Sequence, residues 1–597
     1  MPEITHRRSL LVLGICCLSL FIVGVDGTIV NVALPTIGRG LNASVSGLQW
    51  IVDGYTMVLA SLVMSAGAAA DRFGRRRVFQ VGLITFTVSS ALCSTAPSLG
   101  WLITFRVLQA VGGSMLNPVA VSIISDVFKD RARRAWAIAV WVSVFGVSMA
   151  LGPVLGGLLA GTVGWRGIFW VNVPVGLIAI ALAARFIPES RALVNRRPDP
   201  VAQVLVIVVL ASLIYAIIEG PHTDWSGARI RGLFLVSVVA FAALFLWELR
   251  RDEPMIDPRY FRRLPFTGAI LTGLCGFGSL GGFLFLATIY LQDVRGLSAL
   301  DAGLHMLPAA AAMAVCPLPA SRLAARYGLR LPLTLGGTSL TLSMIAMSRL
   351  TASSSNAHLF VAFMLFGIGL GMIDGQISTA AVSAMPSSQA GLAAGIASAS
   401  RQMGQALGVA VSGSILNANL NGLVRTTFVQ ASRPAWLVLT GCGAVVLLLG
   451  IAATRTRSPH VTAVLAVPNA DPPPAKPRAQ PKPEPQPRLQ AQPRLQAQPG
   501  LPAQPELETL PDLATLPEWE PQLQPVTHAP PAPWAPEDQE PPREPAWIPR
   551  YLVGQLPGYL APEPRDRDRD RDRDPFTVAR GDQAYYRRLR RAADEQE

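Results

Sequence analysis

The run LLVLGICCLSLFIVGVDGTIV, from Leu10 to Val30, determines what kind of protein this chain is. A hydrocarbon layer about 30 Å thick is crossed by about 20 predominantly apolar residues in a helix. This run is that long and contains one acidic residue, Asp26. Because no Ala-x-Ala cleavage site follows it, we expect a retained membrane-spanning helix rather than a signal peptide.

Apolar runs of similar length recur along the chain and predict its fold class. Hydrophobic residues make up 51% of the sequence and charged residues 15%, whereas a soluble chain has roughly 25% charged residues. We therefore expect an all-α polytopic membrane protein. The predicted spans lie near residues 10–31, 47–68, 78–97, 101–125, 135–160, 167–187, 201–219, 230–249, 266–291, 301–324, 330–349, 357–380, 391–416 and 434–454, fourteen in all.

Basic residues concentrate in alternate loops, and this alternation predicts orientation. They follow the second, fourth, sixth, eighth and tenth predicted spans, as in Arg72, Arg75–Arg77, Lys129, Arg131, Arg133, Arg134, Arg191, Arg196, Arg197, Arg250, Arg251, Arg259, Arg262, Arg263, Arg326 and Arg330. Loops rich in Lys and Arg stay on the cytoplasmic side. The net charge of +13 is thus an orientation signal. We expect a multi-pass protein of the cytoplasmic membrane with both termini in the cytoplasm.

Two similar turns lie eight spans apart and predict repeated halves. GAAADRFGRRR extends from Gly67 to Arg77, and ASRLAARYGLR from Ala320 to Arg330. Repeated halves that flank a central site are typical of transporters. The expected domains are a six-span bundle at 1–190, a two-span insert with flanking loops at 191–262, and a second six-span bundle at 263–455.

The C-terminal part, residues 456–597, has a different composition. It is rich in Pro, Gln, Glu and Arg, with a tandem PRLQAQ repeat and a run of Arg-Asp pairs. Such a composition cannot bury a core, so we expect a disordered cytoplasmic tail. The segment YYRRLRRAA, Tyr585 to Ala593, is compatible with a short basic helix on an anionic membrane surface and with a solvated tail that has no partner.

Ionisable side chains inside spans are costly in a membrane and mark candidate sites. Asp26, Asp53 and Arg106 lie five or six residues from the same end of their spans, at a shared depth of roughly 8 Å. Desolvation favours a neutral acid and Arg106 favours a carboxylate, so the group could bind and release a proton. The alternatives are a static pair between spans one and four, and an Asp53 that reaches outer water.

Asp374 and Arg401, in spans twelve and thirteen, form a second candidate group for proton coupling. Their depths from the cytoplasmic side differ by roughly 6 Å, which side chains can reach across. A simple packing pair is the alternative.

Small residues in span five form a candidate moving contact. The run GVSMALGPVLGG contains Gly146, Gly152, Gly156 and Gly157, and small residues at this spacing permit close helix approach. Pro153 removes a backbone donor and permits a kink.

The turn after span two is a candidate gating loop. Gly67 and Gly74 permit close backbone approach, and Asp71 could cap the next helix or bind an arginine. The basic members of the turn could bridge the two halves or contact lipid phosphates; they are Arg72, Arg75 and Arg76.

Catalytic motifs are absent from the sequence. It contains no Walker A run, no HExxH, and no GxSxG at a strand-to-helix turn, so neither an enzyme nor an ATP-driven pump is expected. The six cysteines lie inside apolar runs without CxxC spacing, so no disulfide, metal or cofactor is expected.

Together these motifs resemble those of the fourteen-span drug/proton antiporter family of the major facilitator superfamily, over about residues 10–455. DGTIVNVALP, from Asp26, is similar to the family's first-span signature, and LITFRVLQAVGG, from Leu102, to its fourth-span motif, with Ala110 where Gly is usual. The turn Gly67–Arg76 resembles the superfamily's gating loop. Gly146–Gly157 resembles the antiporter motif, and GWRGIFWVNVPVG, from Gly164, also matches.

The resemblance implies the major facilitator fold, with two six-helix bundles plus two extra helices, substrate between the bundles, and Arg106 in proton transfer. It implies export of lipophilic or cationic compounds, such as drugs and toxins, in exchange for protons. The expected partners are a small-molecule substrate, protons and the bilayer, without nucleic acid. A dedicated exporter of one endogenous metabolite or antibiotic is an alternative, as is a membrane anchor that acts through its tail.

Overall fold

The structure is a computed structural model that describes residues 6–191, 199–251, 258–385 and 389–453. Within these ranges the regular structure is helical, which confirms the predicted all-α class. The described residues belong to one compact unit. The predicted tail at 456–597 and its basic segment lie outside them.

Seven helices form the first half of the molecule. They are α1 (His6–Leu41), α2 (Val45–Phe73), α3 (Arg75–Ser94), α4 (Leu99–Val127), α5 (Arg131–Thr162), α6 (Gly167–Trp170) and α7 (Asn172–Phe186). The insert consists of α8 (Pro200–Thr223) and α9 (Ala228–Leu249). We call these groups the first half and the insert.

The second half begins with a 3-10 turn at Pro258–Arg262 and contains eight helices. They are α10 (Leu264–Ile289), α11 (Ala299–His305), α12 (Leu307–Val315), α13 (Pro317–Tyr327), α14 (Arg330–Ser348), α15 (Asn356–Ser383), α16 (Ala390–Asn419) and α17 (Val424–Ala452). A π-helical turn at Tyr290–Val294 extends α10.

Among the described residues, thirteen helices or helix stacks are long and apolar enough to cross a membrane. The predicted span absent from this set is the thirteenth, 391–416; it corresponds to α16, which has 30 residues but carries Arg401 and several Ser and Gln residues. It packs against α2, α8, α10, α15 and α17. Its polar composition is therefore accommodated by neighbouring helices rather than by lipid.

Two predicted spans are interrupted. The sixth breaks between α6 and α7 near Val171, and the tenth is a stack of α11, α12 and α13. Pro308 and Pro317 stand at the starts of α12 and α13, where the missing proline N–H costs no helical hydrogen bond. Proline placement therefore explains the breaks in the tenth span.

The repeated turns adopt the same backbone conformation. Gly74 and Gly328 end α2 and α13 with φ angles of 108° and 81°, a region that favours glycine. Eight residues after each of them, Gly82 and Gly336 lie against a neighbouring helix, where a Cβ would stand 3.0 Å from the carbonyl oxygens of Gly112 and Gly369, respectively. The repeat thus extends from the turn into the helix packing.

The helices have two distinct ends. α1 begins and α17 ends at what we call the basic end, which also carries the arginine-rich turn Arg72–Arg77. The other end is called the opposite end. Direct hydrogen bonds between the halves lie towards the opposite end: Gln49 Nε2 donates to the Ala410 carbonyl (2.8 Å), and Gln292 Nε2 donates to the Val32 carbonyl (2.6 Å).

The insert packs along the seam where α2 meets α16. Near the opposite end, His222 Nε2 lies 3.1 Å from Ser46 Oγ of α2 and 2.9 Å from Asn417 Nδ2 of α16. Further along, Gln203 Nε2 donates to the Ser61 carbonyl of α2 (2.9 Å). Ile214 and Ile218 of α8 pack in one apolar cluster with residues of α16. The insert therefore contacts both halves.

The two insert helices are joined at the basic end through Asp199, which caps α8. Its carboxylate accepts from the Ala202 amide (3.0 Å), from Trp247 Nε1 (3.0 Å) and from Arg251 Nε (3.0 Å). Burial opposes the charged form, but these hydrogen bonds and the Arg251 charge outweigh it and lower the pKa of Asp199. The capping carboxylate is therefore charged at neutral pH.

Candidate functional site

Asp26 of α1 and Arg106 of α4 form a buried ion pair. Arg106 Nη1 lies 2.6 Å from Asp26 Oδ2, and the side chains are 2% exposed for Arg106 and 0% for Asp26. Such a pair withstands burial when further hydrogen bonds satisfy both partners. The structure thus brings together two of the three residues that the sequence placed at one depth, Asp26 and Arg106.

Additional polar side chains complete the site. Gln109 lies one turn beyond Arg106, accepts from its Nη1 (2.7 Å) and donates to Asp26 Oδ1 (2.9 Å). Asn172 Nδ2 at the start of α7 also donates to Asp26 Oδ1 (3.1 Å). Ser90 Oγ of α3 accepts from Gln109 Nε2 (2.6 Å). The carboxylate therefore joins α1, α4 and α7 directly, and α3 through Gln109.

Sequence reasoning missed Gln109, Asn172 and Ser90. Gln109 was detectable, because a glutamine three residues after a span arginine lies on the same helix face. Asn172 and Ser90 carried no comparable signal, because the break between α6 and α7 and the packing of α3 are seen only in the structure.

Aromatic rings and a backbone oxygen cover the guanidinium. Arg106 Cζ lies 3.9 Å from the ring centroid of Tyr55 and 5.8 Å from that of Phe169. Arg106 Nε donates to the Ile51 carbonyl (3.4 Å). A desolvated cation gains about 2 kcal/mol from an aromatic face. The charge is thus held in position from several sides.

Asp53 is fully buried but lies apart from this ion pair. Among the described residues, neither of its carboxyl oxygens has a hydrogen-bond partner. The nearby Thr56 hydroxyl donates instead to the Val52 carbonyl (3.1 Å). The expected three-membered ion network is therefore wrong for this state, and so is contact of Asp53 with outer water.

Asp374 of α15 and Arg401 of α16 approach each other in the second half. Arg401 Nη1 lies 3.6 Å from Asp374 Oδ1 and donates to Ser378 Oγ (3.0 Å). The side chains are 31% exposed for Asp374 and 19% for Arg401, so this pair is more accessible than the first. The two predicted charge sites thus differ in their access to solvent.

In the turn between α2 and α3, Arg75 holds two carboxylates within the first half. It lies 3.0 Å from Asp71 and also contacts Asp126 at the end of α4. Asp71 therefore binds an arginine, and the alternative that it caps α3 is wrong, because the capping position is Gly74. A Cβ on Gly67 would meet only the Pro118 side chain, at 3.9 Å.

The remaining arginines of the turn do not bridge the halves in the described residues. The Arg76 amide donates to Glu189 (3.2 Å), and its guanidinium donates to the Ala184 carbonyl at the end of α7. Arg72 lies exposed beside the ring of Phe73, 5.4 Å from its centroid. A bridge between halves at this turn is therefore wrong for this state.

The glycines of α5 face two different partners. A Cβ on Gly152 would overlap the Thr28 hydroxyl of α1, and one on Gly156 would stand 2.7 Å from the Ile29 carbonyl. A Cβ on Gly157 would overlap the Ala299 carbonyl of α11, across the boundary between the halves. α5 is thus in close contact with both halves.

The other two predicted members of this run also lie at that boundary. A Cβ on Gly146 would stand 4.0 Å from Ala314 Cα, and the Pro153 carbonyl fills the space beside Gly303.

A small apolar cavity lies between the halves, with a volume of about 20 Å³. α1 and α5 contribute Thr28, Met149 and Pro153, and the second half contributes Leu280, Phe283, Leu284, Met306, Ala309, Ala310, Met313 and Phe366. Phe283 and Phe366 stack with centroids 3.9 Å apart. Methionine adapts its shape to varied apolar surfaces.

These features define a class of protein: a polytopic helical carrier with two repeated halves and buried charges beside their boundary. Residues 16–409 match the family model of the Major Facilitator Superfamily. The chain belongs to this superfamily, and the predicted fold class is confirmed. It is therefore a transporter rather than an enzyme.

Several relatives are multidrug or antibiotic exporters by name. The chain is 37% identical over 427 residues to the multidrug resistance protein Stp of Mycobacterium tuberculosis, covering 71% of this chain and 79% of Stp. It is 34% identical to the tetracenomycin C resistance and export protein of Streptomyces glaucescens, covering 70% and 77%. It is also 34% identical to the multidrug efflux pump LfrA of Mycolicibacterium smegmatis, covering 65% and 77%.

Solved structures share the fold at low identity. A peptide transporter POT in complex with sulfate matches with a TM-score of 0.54 and 14% identity, covering 76% of this chain and 95% of that one. A bacterial homolog of the human lysosomal transporter Spinster, in an inward-facing and unoccupied conformation, matches with a TM-score of 0.51 and 18% identity, covering 75% and 96%.

Proposed function

We propose that this protein exports lipophilic or cationic small molecules across the cytoplasmic membrane in exchange for protons, by alternating access. The names of its relatives support drug or antibiotic export. The arginine-rich basic end is assigned to the cytoplasm, because loops rich in Lys and Arg are retained there. Both termini then face the cytoplasm.

The ion pair of Asp26 and Arg106 carries the proposal. A proton on Asp26 would remove its charge and leave the buried guanidinium without a counter-charge, which costs about 3–5 kcal/mol. Protonation therefore requires α1 and α4 to rearrange. Thr28 and Ile29, two and three residues after Asp26, contact the glycines of α5. A change at Asp26 would thus reach the contact between α1 and α5.

Asp53 is the proposed second proton carrier. A charge at this position would be buried without a hydrogen-bond donor from any residue that the structure describes, which is strongly unfavourable. We assign a proton to Asp53 in this state and its release to the state that opens towards the other side.

Asp374 and Arg401 are the proposed second site of proton coupling, on the cytoplasmic side. Their partial exposure gives them access to cytoplasmic water in a state that is closed at the opposite end. The turn from Gly67 to Arg76 is the proposed gating segment, because Arg75 ties the end of α4 to it.

Export of a single compound is the second candidate function. Two curated relatives are named for single antibiotics, tetracenomycin C and methylenomycin A. A transport panel distinguishes the candidates, since a multidrug exporter accepts several unrelated lipophilic cations and a dedicated exporter accepts one chemical series.

The decisive test is substrate uptake into everted membrane vesicles with proton and sodium gradients varied one at a time. We expect uptake to follow the proton gradient and to fall to background in Asp26→Asn and Arg106→Ala. Asp224→Asn, in the exposed loop between α8 and α9, is the matched control and should transport normally. Undiminished proton-driven uptake in both variants would remove the assigned roles.

Deletion of residues 460–597 tests the remaining alternative, a membrane anchor that acts through its tail. An exporter keeps most of its vesicle transport after this deletion. An anchor loses its cellular function while its transport measurements stay at background with or without the tail.

A further inference from the structure

A groove on the membrane-facing side of the first half lies at the basic end, away from the central cavity. It occupies about 310 Å³ between the beginning of α1 and the end of α7. Leu10, Leu11 and Ile15 of α1 form one wall, and Leu182 and Phe186 of α7 form the other. Gly14 lies between the two walls and lines the groove. A Cβ at this position would project into open space, with nothing within 4 Å.

Arginines surround the rim of this groove. Arg7 lines it directly, and among the described residues Arg7 has no hydrogen bond or ion pair. Arg8 Nε donates to the Phe186 carbonyl (3.3 Å), and Arg185 Cζ lies 5.8 Å from the Phe186 ring centroid. The nearby acid, Glu189, accepts from the Arg76 amide (3.2 Å) and pairs with Arg77 (3.7 Å). Counted over the part of the chain that the structure describes, the rim therefore carries excess positive charge.

We propose that this groove binds one anionic phospholipid, with an acyl chain along α1 and α7 and its phosphate at Arg7. The walls are apolar over about one and a half helical turns, which suits part of a hydrocarbon chain. The Arg7 guanidinium, which has no partner in the described ranges, lies where the span meets the aqueous boundary, at the depth of a headgroup phosphate. A soluble anion would gain nothing from the apolar walls, and a neutral lipid would gain nothing from the excess charge.

The groove is also connected to the gating segment. The Arg76 guanidinium of that segment donates to the Ala184 carbonyl, on the same turn of α7 that forms the groove wall. A lipid in the groove would therefore contact the helix end to which the gating segment is attached.

The test measures lipid retention by the purified full-length protein in detergent, using native mass spectrometry. Phosphatidylglycerol is compared with phosphatidylcholine of the same acyl chains, and soluble glycerol 3-phosphate is the competitor without a chain. We expect the wild type to retain one additional phosphatidylglycerol, insensitive to glycerol 3-phosphate. Arg7→Gln should lower that retention about fivefold, the effect of about one interfacial arginine.

Gly14→Leu should fill the groove and abolish the additional lipid of either kind. The matched controls lie at the start of the second half: Arg262→Gln removes another exposed arginine, and Gly268→Leu fills another open glycine position. Equal retention by Arg7→Gln and Arg262→Gln would overturn the proposal, as would displacement by glycerol 3-phosphate. If Gly14→Leu fails to fold, Arg7→Gln alone decides the outcome.

Discussion

At the residue scale, the central feature is a carboxylate that three donors share. Asp26 accepts from Arg106, Gln109 and Asn172, so its charge is compensated from two helices besides its own. Truncating one member of a buried ion pair leaves the other uncompensated, whereas neutralising both removes the conflict. The stability of single and double variants should therefore be strongly non-additive.

We expect Asp26→Asn to destabilise the protein by about 3–5 kcal/mol, because Arg106 keeps its charge. The double variant Asp26→Asn with Arg106→Gln should be more stable than Asp26→Asn alone. Denaturant unfolding in detergent, followed by circular dichroism, measures both differences. Additive losses would show that the two residues do not act as a pair.

Neutralising Asp53 should have little effect on stability, in contrast to neutralising Asp26. Because its carboxyl has no donor in the described residues, a neutral amide of the same shape costs about 1 kcal/mol or less. We expect Asp53→Asn to unfold close to the wild-type midpoint while the number of protons exchanged per substrate falls. Proton uptake by indicator dye in proteoliposomes measures that number. A loss of stability as large as that of Asp26→Asn would contradict a neutral Asp53.

The sequence predicted which ionisable residues lie inside spans, but it did not predict which of them contact one another. Depth along a span follows from counting residues, which placed Asp26, Asp53 and Arg106 in one layer. The direction of each side chain around its helix depends on tertiary packing. Among the described residues, Asp53 consequently makes no hydrogen bond to the pair, whereas Asn172, which follows a helix break, donates to Asp26.

At the element scale, α1 and α5 are packed so closely that no space remains between them for an additional methyl group at Gly152. A Cβ on Gly152 would overlap Thr28, and Gly161 on the same helix has open space. We expect Gly152→Ala to destabilise the protein by about 1–3 kcal/mol, as overpacking does. Gly161→Ala, the matched control, should be neutral or slightly stabilising in thermal unfolding. Equal midpoints for the two variants would show that α5 shifts to relieve the overlap.

Helix existence was predictable because long apolar runs fold as helices in a bilayer, whereas helix continuity was not. The tenth span follows one apolar run but is divided where Pro308 and Pro317 remove backbone donors. The thirteenth span, α16, is only weakly apolar because it packs against five neighbouring helices, which accommodate its polar residues. The mean hydropathy of a helix does not show whether its polar residues face lipid or other helices.

At the scale of the whole molecule, the halves are held together towards one end. Gln49 and Gln292 hydrogen-bond across the boundary there, and Arg39 lies 3.2 Å from Asp293. The repeated turns predicted two halves, because both turns need a glycine with positive φ. The sequence could not predict which end is closed, since a carrier that alternates uses the same residues in both states.

The close contact of α5 with α11 offers a direct test of this alternation. A larger side chain at Gly157 would overlap the Ala299 carbonyl only while the opposite end is closed. An overlap of about 1–3 kcal/mol corresponds to a population shift of about 5- to 150-fold. We therefore expect Gly157→Val to favour the state that is open at the opposite end. Spin labels at Arg39→Cys and Asp293→Cys, in a background without native cysteines, report the distance between the two halves at the opposite end.

Both label positions lie at the opposite end on different halves, and both variants carry the same labels, so the loss of the Arg39–Asp293 ion pair is common to the two and cancels in the comparison. The distance distribution should move to longer values in Gly157→Val and stay unchanged in Gly161→Val, which has open space on the same helix. Vesicle transport should fall with the shift, because a carrier biased strongly to one side returns slowly. Identical distributions in the two variants would mean that the contact of α5 with α11 does not hold the end closed.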